Sequence, residues 1–164
     1  MIIALADISF VTEPQLAWTG NWAWGLPLIL MTVIIHVLGL GLIARGVGRV
    51  SSGKIEHRHP MATFVVVMGA TTLLATSLHA IEAGIWASAY LLVGALPDAR
   101  TAMLYSLSAM TSYGHANLFL EAHWQLMGAM EALNGWLLFG LSTAFLFGMI
   151  EKVGLGRHGV GGLK

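Results

Sequence analysis

From Pro14 to Ala44 the chain carries no formally charged side chain, and its apolar part, Trp22 to Ile43, is long enough as a helix to cross a hydrocarbon core of about 30 Å. Charged groups are expensive in hydrocarbon, so the gaps between Asp, Glu, Lys and Arg mark the stretches that can cross it. Composition points the same way. Of 164 residues, 57% are hydrophobic and 10% charged, whereas a water-soluble domain needs roughly a quarter of its residues charged. Eight Lys plus Arg balance eight Asp plus Glu, which leaves no basic excess to attract nucleic acid. The absence of Cys excludes disulfides, iron–sulfur clusters, thiolate zinc sites and a Cys nucleophile.

The charge gaps divide the chain into seven segments: an N-terminus (1–21), a first span (22–44), a loop (45–59), a second span with an outer extension (60–96), a short segment (97–123), a last span (124–150) and a tail (151–164). Trp18, Trp22 and Trp24 supply amphipathic rings for a headgroup boundary, and Pro60 can open the second helix as a first-turn residue. The excess length of that second helix is expected to be either an extension into the outer interface or a break near Gly84. Arg45, Arg49, Lys54 and Arg58 lie in the first loop, and Lys152, Arg157 and Lys164 in the tail, leaving only Arg100 elsewhere. Positive-inside bias then places loop and tail in the cytoplasm, and the N-terminus and segment 97–123 outside. The first twenty residues lack Lys and Arg, so the first helix is expected to be a retained span that translocates its own N-terminus.

Segment 97–123 differs from the spans. Pro97 and Asp98 predict a helix start, but the helical part, Ala99 to about Ala109, is too short to cross. Ser112-Tyr113-Gly114 reads as irregular chain, so the expectation is a re-entrant half-helix followed by returning backbone. Irregular backbone at membrane depth is tolerated only where it is buried in protein or lines a watery cavity, which suggests a pore.

These residues carry a family resemblance. Leu104-Tyr-Ser-Leu-Ser-Ala-Met-Thr-Ser-Tyr-Gly-His115, followed by Ala129-Met-Glu-Ala-Leu-Asn-Gly-Trp-Leu-Leu-Phe-Gly-Leu-Ser-Thr-Ala-Phe-Leu-Phe147, resembles the pore helix, filter and inner helix of bacterial potassium-channel-like proteins with a two-helix pore module. Ile35-His36 and Leu78-His-Ala-Ile-Glu-Ala-Gly-Ile-Trp-Ala87 are similar to small three-span members of that group. The resemblance implies an all-α integral membrane protein with three transmembrane helices and a re-entrant pore helix. It further implies a bacterial inner membrane and a homotetramer in contact with membrane lipid, because one loop cannot enclose a pore. Gly128, Ala129, Ala132, Gly135 and Gly140 would permit close helix approach.

The filter, Met110, Thr111, Ser112, Tyr113, Gly114 and His115, keeps only the Tyr-Gly pair of the family's Thr-Thr-x-Gly-Tyr-Gly-Asp pattern. Met110 puts a thioether where a hydroxyl would face the ion, Ser112 puts a Cβ where glycine is free to take φ > 0, and His115 replaces an outer carboxylate. The implied function is a non-enzymatic ion-channel subunit, weakly selective or non-conducting toward monovalent cations, without a cofactor or resident metal. Four half-helix ends, each worth about half a negative charge, would still stabilise a cation.

Tyr105, Ser106, Glu131 and Asn134 are candidate supports of that pore. For Glu131 the alternative is a carboxylate near the interface that reaches water. His36, His79 and Glu82 form a candidate polar cluster, with His79 and Glu82 one helical turn apart. It reads either as a hydrogen-bonded packing device or as a proton, metal or haem site in a non-channel membrane subunit or enzyme. Trp86, Trp124 and Trp136 read as belt or packing residues, and His57-Arg58-His59 as a solvated turn.

Overall fold

A computed structural model describes residues 3–51, 60–114 and 117–155, with side-chain surroundings for 18–49, 61–114 and 117–152. These residues form four α-helices: α1 (Ile3–Ser51), α2 (Pro60–Leu92), α3 (Ala99–Met110) and α4 (Gln125–Leu155), the last entered through a 3-10 turn at Ala122–Trp124. No strand occurs among the described residues. Trp18–Arg49, Met61–Leu92 and Ala122–Lys152 are long and apolar enough to cross a membrane, with mean hydropathies of 2.5, 1.8 and 1.6. The described residues are therefore all-helical, with three membrane-length helices among them. Their outward faces are apolar too: Leu42, Val66 and Leu73 are each about two-thirds exposed. A helix apolar all round suits hydrocarbon and not water.

The ends of the helices follow from local chemistry. Helix α2 runs unbroken through Gly84 and stops where Gly94 takes φ +69°, with Gly94 N–H donating to Leu91 and Ala95 N–H to Tyr90. Those two bonds satisfy carbonyls left over at the helix end, a pattern that requires a left-handed residue and so favours glycine. Asp98, in extended backbone, caps α3 by accepting from Thr101 N at 3.0 Å and from Thr101 Oγ1 at 2.7 Å. These two bonds hold the exposed Asp98 carboxyl below the usual carboxylate range.

The chain packs as two units, Met1–Val33 with Glu82–Trp136 and Ile34–Ile81 with Leu137–Lys164. In the first, Trp86, Tyr90 and Met127 are fully buried among Leu28, Ala102, Leu120 and Met130. Helix α3, 12 residues and about 18 Å long, runs beside the first turns of α4. Two glycines make this possible. A Cβ on Gly128 would lie 3.2 Å from Tyr105 Cζ, and one on Gly135 would lie 2.7 Å from the Cα of Met110. In the second unit, Val47, Val67 and Met149 form one apolar cluster and Leu40, Ala75 and Leu78 another, with Ile43 and Phe145 touching both. Lipid tails are as apolar as these side chains, so van der Waals fit and interhelical hydrogen bonds hold the helices together.

Candidate functional site

Glu131 is the polar centre of the first unit. It lies on α4, fully buried, and both carboxyl oxygens are engaged. Tyr90 Oη on α2 donates to Oε2 at 2.6 Å, and Ser106 Oγ on α3 is hydrogen-bonded to Oε1. Ser106 Oγ also donates to the carbonyl of Ala83 on α2 at 2.8 Å. Tyr105, half-buried, packs its ring edge-on to Tyr90 with centroids 5.3 Å apart. Three elements thus converge on one carboxyl group, and Ser106 is anchored from two sides. Of the candidate supports, the structure brings Tyr105, Ser106 and Glu131 together. Asn134 lies one turn further along α4, where its Nδ2 donates to Thr32 Oγ1 on α1 at 2.8 Å. Thr32 in turn donates to the Leu28 carbonyl at 2.8 Å, so this pair ties α1 to α4.

The entry of α4 is capped from another helix. Asn21 of α1, almost fully buried, accepts from Met127 N at 2.7 Å and donates to the His123 carbonyl at 2.5 Å. The first N–H groups of a helix have no intrahelical partner, and in hydrocarbon an unmet donor is costly.

The filter-like residues begin at the end of α3. Met110 is buried with its backbone against Gly135, and Thr111 turns back so that Oγ1 donates to the Leu107 carbonyl at 2.6 Å. Ser112 takes φ +55° and Gly114 φ +70°. Ser112 N–H donates to Ala109 and Tyr113 N–H to Ser108, so Ser112 closes α3 as Gly94 closes α2, with a Cβ where glycine fits better. Its hydroxyl accepts from Trp136 Nε1 at 2.8 Å, which gives that exposed indole a specific partner. Tyr113 is 78% exposed. A cavity of about 220 Å³ lies beside this segment, lined by Tyr105, Ser108, Gly114, Phe119 and Gln125 among others. His115 and the turn His57-Arg58-His59 lie outside the described residues.

In the second unit, His36 of α1 and His79 of α2 pack with their ring planes tilted 45° and centroids 4.9 Å apart. Ser142 of α4 stands between them, its Oγ 3.1 Å from His36 Nε2 and 3.0 Å from His79 Nε2. One hydroxyl can donate to one ring and accept from the other, which couples their tautomers. His36 is fully buried. Glu82, also fully buried, lies one turn beyond His79 on α2 and begins the residues of the other unit.

No protein-family model, curated protein or solved structure matches this chain. Tyr90, Asn21, Thr32 and Ser142 are the site residues absent from the sequence-based candidates. Asn21, Thr32 and Ser142 are polar residues within membrane-length helices, a signal that on its own predicts an interhelical partner but not which one.

Proposed function

We propose that the chain is one subunit of a fourfold, potassium-channel-like cation pore in a bacterial inner membrane, with its N-terminus outside and its C-terminus in the cytoplasm. The observation that carries this reading is the seat of α3. A helix too short to cross runs beside α4 and ends against Gly135, ten residues past Gln125, where α4 begins, and so about 15 Å along a membrane-length helix. At that depth its carbonyl end carries partial negative charge into a low-dielectric setting, and four copies around an axis would stabilise a cation there. The Glu131–Ser106 hydrogen bond and the edge-on packing of Tyr90 against Tyr105 act as struts behind the pore.

The filter is degenerate. Met110 is packed against α4, Thr111 Oγ1 is turned back onto α3, and Ser112 is committed to closing the helix, so few hydroxyls are left for a hard cation. The pore is then weakly selective or closed to ions. Cation flux in liposomes, measured with the oligomeric state in detergent, tests the reading. Flux should discriminate poorly between potassium and sodium, and the combined Met110→Thr, Ser112→Gly and His115→Asp variant should favour potassium more strongly. A folded triple variant with unchanged selectivity counts against the filter assignment.

A second reading rests on the two imidazoles that converge on Ser142. In it the chain is a non-channel membrane subunit that binds a metal or haem through His36 and His79. A Soret band or stoichiometric metal in the purified protein would favour it over the pore.

A further inference from the structure

The hydrogen bonds around Glu131 number three, and the neighbouring hydroxyls supply only two protons. A serine or tyrosine hydroxyl carries one proton, and a backbone carbonyl can only accept. Tyr90 spends its proton on Glu131 Oε2. The Ala83 carbonyl, 2.8 Å from Ser106 Oγ, takes the proton of Ser106. The remaining contact, between Ser106 Oγ and Glu131 Oε1, then needs a proton from the carboxyl group itself.

We propose that Glu131 is a proton-binding site: a neutral carboxylic acid that donates to Ser106, receives from Tyr90, and so joins α4 to α3 and α2 in one closed chain of hydrogen bonds.

The surroundings agree with a neutral group. Glu131 is fully buried, and among the described residues no Lys, Arg or His pairs with it. An isolated carboxylate in such a place is strongly disfavoured. The titratable groups that face it are Tyr90 from α2 and Tyr105 from α3. Residues 18–33 of α1 contain none. Loss of the proton would place an acceptor opposite an acceptor unless Ser106 gave up the Ala83 carbonyl, so the hold on α3 depends on proton occupancy. The inference stands on this unit's geometry and not on the pore reading.

Infrared difference spectroscopy of the full chain in lipid at neutral pH tests it. Subtracting Glu131→Gln from the parent should reveal loss of one protonated-carboxyl C=O stretch and no loss of carboxylate bands. The subtraction also removes any contribution from Glu82. A difference made only of carboxylate bands overturns the proposal. Should Glu131→Gln fail to fold, Ser106→Ala and Tyr90→Phe decide the matter. Each removes one hydrogen bond to the Glu131 carboxyl group and should shift the carboxyl band to higher frequency, whereas a spectrum with no carboxyl band that moves in either variant overturns the proposal.

Discussion

Gly135 of α4 and Met110 of α3 meet backbone to backbone, so closely that a Cβ on the glycine would lie 2.7 Å from the Met110 Cα and 2.8 Å from its carbonyl carbon. The obstructing atoms are main chain and cannot rotate away. Gly135→Ala gains about 1 kcal/mol of helix propensity but must push α3 off its seat, and overpacking of this kind typically costs about 1–3 kcal/mol. The expected result is a lower melting temperature in detergent. Gly140, on the same helix with nothing within 4 Å, is the control, and Gly140→Ala should leave the melting temperature unchanged or raise it.

Ser112 pays a steric cost at φ +55° and recovers part of it through the Trp136 indole. A left-handed residue with a Cβ is strained by about 1–2 kcal/mol, and the hydrogen bond returns about 0.5–1.5 kcal/mol. Ser112→Gly should therefore change stability little in the parent. In the Trp136→Phe background it should stabilise clearly, and a double-mutant cycle of unfolding free energies measures the difference. Equal effects in both backgrounds would mean that the hydrogen bond contributes nothing.

Asn21 meets the open N-terminal end of α4 from a different helix. Asn21→Ala leaves Met127 N–H and the His123 carbonyl without this partner and should cost about 1–2 kcal/mol, read as a fall in melting temperature.

Asp98 links α3 to pH. Its bonds to Thr101 hold the folded-state carboxyl below its unfolded value of about 3.9, so the stabilisation is present above that value. It is lost as pH falls through the lowered folded value. Asp98→Asn caps without titrating. Stability curves taken between neutral and acid pH should therefore show a smaller acid loss in the variant than in the parent.

The gaps between charges foretell three membrane-length helices, because the cost of a charge in hydrocarbon acts on every residue of a span alike. Likewise Pro97-Asp98 marks the start of α3 by a local rule, since an aspartate cap needs only the next three residues. Closure of α3 at Ser112 is not legible in the same way: the closing residue is usually glycine, and Gly114 stands two residues on as the more obvious candidate. Asn21, Thr32 and Tyr90 find partners 106, 102 and 41 residues away, and no periodicity in one helix specifies which polar group on another helix it will meet. Glu131 stands out in sequence as a carboxylate inside an apolar run. Its two hydroxyl partners do not, because Ser106 and Tyr90 are ordinary residues until the helices pack.

The number of copies in the assembly tests the central claim most directly, since a single α3 cannot surround a pore. Native mass spectrometry of the full chain released from lipid should give four copies. A monomer or dimer under conditions where the helices remain folded would contradict the account of a cation pore.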